Sequence, residues 1–301
     1  MAEQKLQVEG ADMASTVKIE KPESNLKRMW EALIQNKAAV VGMVVILILI
    51  FIAVFGKVIM PYDPNYGDMS INKQTPSASH WFGTDEQGRD IFSRIIAGTS
   101  VSLSVGVKAV VFGLVFGILF GAIAGYKGGK IDTFIMRLMD IMISIPDILL
   151  AITLMAALGR GIDKAVIAIG LVSIPEYARI VRGSIMSIKD SEYVQAAKVI
   201  GNNDFTIIFK HILPNVLSPI IVRATLGIST AILNIAALGF LGLGVQPPNA
   251  EWGDMLGRAR SFIFEAPYML IFPGIAITLT VLAFNLLGDG LRDAFDPKAQ
   301  H

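Results

Sequence analysis

The chain has 301 residues, of which 53% are hydrophobic and only 17% charged, with a mean hydropathy of +0.59 and a formal net charge of +1. Such a composition points to lipid as the solvent and excludes an ordinary soluble domain, while the scattered basic residues leave no nucleic-acid footprint. The absence of cysteine removes disulfides, thiolate metal sites and cysteine nucleophiles from consideration.

Residues 1–37 are polar and of mixed charge, without the apolar core and small-residue cleavage site of a signal peptide. They read as a cytoplasmic tail leading into a basic amphipathic stretch, Leu26 to Lys37, at the membrane surface. A hydrocarbon core about 30 Å thick needs about 20 apolar residues per helix. Six segments answer that requirement: Ala38 to Ile59, Val101 to Tyr126, Phe134 to Leu158, Ala165 to Pro175, Val216 to Leu243, and Tyr268 to Leu287. The fourth is short in apolar residues and is expected to continue as helix through Tyr177, Ile180 and Val181. The chain therefore divides into the tail (1–37), a first span (38–60), an extracytoplasmic segment (61–100), a core of spans (101–288) and a C-terminal tail (289–301). The fold class is an all-α polytopic membrane protein with six transmembrane helices.

Lysine and arginine in short loops orient such a chain. With the N-terminus inside, Lys127, Lys130, Arg137, Arg179, Arg182, Lys189, Lys198, Lys210 and Arg292 join the basic tail on the inner side. The outer side holds Lys57, Lys73, Arg89, Arg94, Arg160, Lys164, Arg258 and Arg260. Both termini are expected in the cytoplasm.

In the external segment, Thr84-Asp85-Glu86-Gln87 has capping-box spacing, and Ile91, Phe92, Ile95 and Ile96 follow on one face. This predicts a short interfacial helix, either resting on the outer leaflet or docking an external partner. Within the second span, Gly113, Gly117, Gly121 and Gly125 recur every four residues and open a stripe for close helix approach, by this chain or by a partner.

A cytoplasmic loop at about 176–214 carries the functional signal. It reads as two short helices joined by a glycine. Asp190 or Ser191 caps the first, Glu192 suits its N-terminal dipole, and Gly201-Asn202 ends it in a left-handed cap; Asn203 or Asp204 starts the second, which Pro214 limits. Ala196 and Ala197 present little side chain to a partner, so the first helix suits insertion into a groove on another protein. Gln195-Ala196-Ala197, three residues, Gly201 and then Leu213-Pro214 resembles the Glu-Ala-Ala loop of ABC-importer permeases. Gln195 stands where that pattern has Glu, and His211 where it has Ile. Phe82 to Asp90 (FGTDEQGRD), Gly239 to Pro248 (GFLGLGVQPP), Glu251-Trp252-Gly253 and Asn285 to Pro297 (NLLGDGLRDAFDP) are similar to segments of the second permease subunit of dipeptide, oligopeptide and nickel importers.

The resemblance implies a type I importer permease fold in which Glu192, Tyr193, Gln195, Ala196, Ala197, Gly201, Leu213 and Pro214 couple the spans to an ATPase. It also implies a second similar permease subunit, two cytosolic ATPase subunits that bind ATP and Mg²⁺, and an extracytoplasmic substrate-binding protein. This chain itself is expected to bind no cofactor and to catalyse nothing. The nearest approach to a phosphate loop, Gly129-Lys130, is followed by Ile131 and lacks its first glycine at Ala124. His80, His211 and His301 have no metal-ligand spacing. The implied cargo is a di- or oligopeptide, with nickel or another small solute as the alternative. A secondary transporter working alone is the rival of another class.

Ionisable and amide groups within spans are pathway candidates by default. Asp147, beside Pro146, either lines a pathway and meets a substrate ammonium or is satisfied by a neighbouring helix; Asn234 has the same two readings. Lys108 and Arg223 are expected to snorkel to the headgroups, and Arg137 and Asp140 to pair locally at i,i+3.

Overall fold

The structure, a computed structural model, describes residues 25–295. The tail expected before Asn25 and the end of the C-terminal tail, with Pro297, Lys298 and His301, lie outside the described residues. Among those described, the architecture is helical, and the β component is one isolated bridge between Thr84 and Asp90.

A short helix, α1 (Asn25–Gln35), precedes the first span, α2 (Lys37–Ile59), whose start is set by the Asn36 side chain accepting the Ala39 N–H at 3.1 Å. One side of α2 carries Val44, Leu47, Phe51, Val54 and Val58, all exposed. Its other side uses Ala39 and Gly42 to lie against the last helix, α11 (Tyr268–Phe295); a Cβ on Gly42 would meet the Leu286 Cβ at 3.0 Å.

The second span is part of a continuous helix, α3 (Ile91–Lys127), of 37 residues. The expected interfacial helix capped at Thr84 is absent. Residues 84–90 instead form a turn around the Asp85 carboxylate, which accepts from the N–H groups of Gln87 and Arg89 at 2.9 and 3.0 Å. The helix starts only at Asp90, whose side chain accepts from the Ser93 N–H at 2.8 Å, so Ile91 to Ile96 belong to the same rod as the span. The turn wins because it satisfies a buried carboxylate several times over, which a capping box at Thr84 would not do.

The glycine stripe of α3 is filled within the chain, by α6 (Ile162–Ile188). A Cβ on Gly121 would meet the Val181 Cβ at 2.9 Å, and one on Gly125 would meet the Arg182 Cα at 3.2 Å. The expected third span, Phe134 to Leu158, is two helices, α4 (Gly129–Ile143) and α5 (Asp147–Leu158), bent by 91°. Pro146 explains the break: it lacks an N–H for the ladder and pushes Ile145 out of helical conformation. The fourth segment does continue past Pro175, to Ile188.

Beyond α6 the chain makes α7 (Glu192–Val199), one turn of α8 (Asp204–Thr206), a π-helical stretch Ile207–Ile212, a 3₁₀ turn Leu213–Val216 and then α9 (Leu217–Phe240). Pro214 does not end the second helix of the loop; it distorts it. Having no N–H, it cannot continue the i→i−4 ladder, and the Leu213 N–H instead reaches back five residues to the Ile208 carbonyl. The Asn215 amide donates to the His211 carbonyl at 2.7 Å. A short helix, α10 (Trp252–Ala259), lies between α9 and α11.

Four helical stretches are both long and apolar enough to cross a membrane: α2, α3, Asp204–Phe240 and α11. The bent α4–α5 pair is a fifth if it counts as one span. Of the six expected spans, α6 qualifies on length, 27 residues or about 40 Å. Its lower apolarity follows from position, since Glu176, Arg179 and Arg182 on it meet neighbouring helices rather than lipid.

Candidate translocation cavity and coupling surface

The α7 loop is built on a self-contained apolar core. Val194 and Ala197 turn inward onto Val181, Ile185, Ile207, Ile208 and Ile212, all buried. Its end is a Schellman cap: Gly201 has φ +87°, its N–H donates to the Lys198 carbonyl at 3.0 Å, and the Asn202 N–H donates to the Ala197 carbonyl at 3.2 Å. Asn203 starts the next turn by accepting from the Thr206 N–H at 2.7 Å. Ser191 occupies the N-cap position of α7, but its hydroxyl donates back to the Ile188 carbonyl at 2.7 Å and gives no side-chain cap. Lys127 at the end of α3 pairs with Asp204 and ties the loop to the span.

This geometry divides the predicted coupling residues into two groups. Glu192, Tyr193, Gln195, Ala196, Gly201 and Pro214 lie on the outside. Ala197 is only 4% exposed, so its small side chain packs within this chain, and Ala196 is the member of the alanine pair that lies outside. Leu213 is half-buried against the same core. The outward face also holds Val199 and Ile200, which are 87% and 80% exposed, and Phe205. Sequence reasoning missed these three; the signal available was an apolar pair directly before the capping glycine.

A second feature is a cavity of about 480 Å³ walled by α3, α5, α6 and α9, with Ile143 at the end of α4. Asp147 and Asn234 both line it, so the two span residues singled out from the sequence converge on one space. Asp147 is exposed to it and, among the described residues, has no hydrogen-bond or ion-pair partner. Glu176, Tyr177, Arg179, Arg223 and Thr230 line it too. Arg223 does not snorkel: it forms an ion pair with Glu176 across the α6–α9 interface. Asp140 pairs with Arg179 of α6 at 2.6 Å rather than with Arg137, and Asp132 binds Arg182 through two hydrogen bonds, so the carboxylates of α4 tether it to α6. A continuous-helix reading could not find these cross-helix pairs, because the break at Pro146 re-aims α4.

A third constellation gathers residues 80–94 into one largely buried polar cluster. Arg89 donates to Asp85 at 2.6 Å, Arg94 lies 3.5 Å from the same carboxylate, and His80 contacts Asp90 at 2.9 Å. Arg94 also donates to the Pro64 carbonyl at 2.8 Å. Nearby, the Trp252 indole donates to the Ile95 carbonyl at 3.1 Å, and Glu251 caps α10. Burial pushes the Glu251 carboxyl up to about 7, against the downward pull of the Gly253 and Asp254 N–H groups. The Asp254 carboxylate, 2.8 Å from Arg258, raises that guanidinium above its usual value.

A bundle of long apolar helices enclosing a cavity lined by several charged side chains fits a transport permease. Residues 117–301 match the family described as the binding-protein-dependent transport system inner membrane component, and residues 24–76 match the N-terminal TM domain of oligopeptide transport permease C. The chain belongs to this family of inner-membrane permeases. It is 50% identical over 272 residues to the dipeptide transport system permease protein DppC of Alkalihalophilus pseudofirmus, covering 90% of each chain. It is 47% identical over 273 residues to the glutathione transport system permease protein GsiD of Pectobacterium atrosepticum, covering 90% of this chain and 91% of that one. A chain of the MetNI methionine ABC transporter, solved in inward facing conformations, shares the fold with a TM-score of 0.56 at 19% identity, over 67% of this chain and 97% of that one. The protein is thus an ABC-importer permease subunit, and ATP hydrolysis falls to other chains.

Proposed function

We propose that this chain is one of two similar membrane subunits of an ATP-driven importer of short peptides in a bacterial inner membrane, with both termini in the cytoplasm. It works with two cytosolic ATPases, which carry ATP and Mg²⁺, and with an extracytoplasmic substrate-binding protein. The names of its relatives, which specify dipeptide and glutathione transport, favour a peptide cargo.

The observation that carries the coupling role is the outward face of the α7 loop. Tyr193, Ile200 and Phe205 are exposed beside a core that Val194 and Ala197 already complete. A rigid element that spends its inward residues on its own domain and leaves apolar side chains outside is suited to a groove on another protein. Closure of the ATPases would push on α7. Through its packing on α6 and the Lys127–Asp204 link to α3, the push would change the access of the cavity by rigid-body movement.

Purification of the tagged chain from its native membrane in mild detergent tests this. A second permease-like subunit and two ATPases are expected to co-purify with ATPase activity. A lone chain that transports in liposomes on an ion gradient alone would overturn the reading.

A further inference from the structure

Charged side chains within a membrane protein face a pathway or a partner, and the cavity wall holds four. Arg179 is held by Asp140 at 2.6 Å. The others are Asp147, Glu176 and Arg223, and their states differ. Asp147 has no partner among the described residues. Glu176 is bound to Arg223 through one carboxylate oxygen and the Nη2 group, with its side chain 51% exposed against 22% for Arg223. The Arg223 Nε is buried and, among the described residues, has no acceptor.

Nε and Nη2 lie on the same edge of a guanidinium, the edge that takes a carboxylate through two parallel hydrogen bonds. Glu176 fills half of it. A free carboxylate entering the cavity could occupy both donors, provided the more exposed Glu176 swings away. The released Glu176, with the unpaired Asp147, then offers two acidic groups to a cation. The cavity volume of about 480 Å³ falls in the range of roughly 300–1,000 Å³ typical of small-molecule sites. Along α9, Arg223 and Asn234 stand about 16 Å apart, which an extended chain of about four or five residues would span.

We propose that Glu176 and Arg223 form a cargo-exchanged clamp, in which the carboxylate of a short zwitterionic peptide takes Arg223 from Glu176 and its ammonium is met by Asp147 and the released Glu176. The pair re-forms when the cargo leaves, so neither charge stays unpaired in the empty cavity. This rests on the peptide-importer reading and adds the residues that recognise the termini of the cargo.

The test reconstitutes the complete complex, with its binding protein, in proteoliposomes and measures ATP-driven uptake of radiolabelled dialanine. Arg223→Gln is expected to lower uptake by about tenfold or more, the effect of losing hydrogen bonds to a charged group. The deciding variant is the double change Arg223→Gln with Glu176→Gln. A pair that is merely structural tolerates removal of both charges together, because no buried charge is left over. A clamp does not, and the double variant is expected to stay as deficient as Arg223→Gln. Recovery of uptake in the double variant, or undiminished uptake in Arg223→Gln, would overturn the clamp while leaving the importer reading intact. Failure of the wild-type complex to carry the dipeptide would overturn both.

Discussion

The Glu251 carboxyl lies against the bare Cα of Gly239, and its two oxygens accept the N–H groups of Gly253 and Asp254 at 2.8 and 2.9 Å. This contact joins the end of α9 to the start of α10 and lets α10 seat Trp252 on α3, where a Cβ on Gly98 would meet the indole Nε1 at 3.0 Å. A side chain at 239 would strike the Glu251 carboxyl and come within 2.8 Å of the Asp254 nitrogen, backbone that cannot rotate away. Gly239→Ala is therefore expected to destabilise the subunit by about 1–3 kcal/mol, the usual cost of overpacking. The unfolding temperature of the detergent-solubilised protein should fall; an unchanged value would mean that α10 is not held by this contact.

Glu251 makes stability depend on pH in an unusual sense. Its carboxyl is raised from the ordinary 4.5 to about 7, chiefly by burial. Between those values the folded chain holds a proton that the unfolded chain has released. Stability from this group is thus greatest below about pH 4.5, declines as pH rises towards about 7, and is flat above. Glu251→Gln, neutral at every pH, should flatten that slope while keeping an acceptor for the α10 cap. Unfolding temperatures measured across this window for both proteins check the point, and parallel curves would count against a role for Glu251.

Asp85 holds two buried guanidiniums, Arg89 at 2.6 Å and Arg94 at 3.5 Å, with all three side chains at most 8% exposed. Asp85→Ala leaves Arg94 without a carboxylate and Arg89 with only Glu86 at 3.4 Å, and removes the acceptor for the turn that precedes α3. Breaking a buried pair on one side costs about 3–5 kcal/mol. Glu86, more exposed and at the longer distance of 3.4 Å from Arg89, should cost less than Asp85 when changed to Ala. Chemical denaturation that ranks the two variants alike would show that burial does not decide their contributions.

The outcome for individual elements shows what a linear reading can reach. The glycines at 113, 117, 121 and 125 were legible as a close-approach stripe because small residues at helical spacing are a local signal. That α6 fills the stripe was not legible, because partner identity is a tertiary fact. The loop between α6 and α9 was legible where glycine chemistry dictates conformation, as in the Gly201 cap. Direction was not legible, since spacing alone does not say that Ala197 faces the chain's own core and Ala196 the outside. Capping was misplaced from Asp90 to Thr84 because two overlapping signals competed, and the buried Asp85 turn, closed by arginines up to nine residues away, decided between them. Asp147 and Asn234 were found as polar groups in apolar surroundings. Arg223 was assigned to the headgroups because its partner, Glu176, lies 47 residues earlier on another helix.

The two faces of α7 separate folding from coupling, which a pair of charge insertions can resolve. Ala197 is packed with Val194, Ile207, Ile208 and Ile212, so Ala197→Glu forces a carboxylate into an apolar core without a partner. The cost is several kcal/mol, and the isolated subunit should lose thermal stability in detergent. Ile200, 80% exposed, lies one residue before the capping glycine, and Ile200→Glu adds a charge to a surface already in water. By itself such a change stays within about 0.5 kcal/mol, so the isolated subunit should melt as the wild type does. In the assembled complex the same carboxylate would be buried against the ATPase, and co-purification of the ATPases should fall by about tenfold or more. Wild-type recovery of the ATPases with Ile200→Glu would place the coupling contact elsewhere on the loop, with Tyr193 and Phe205 as the next positions to charge.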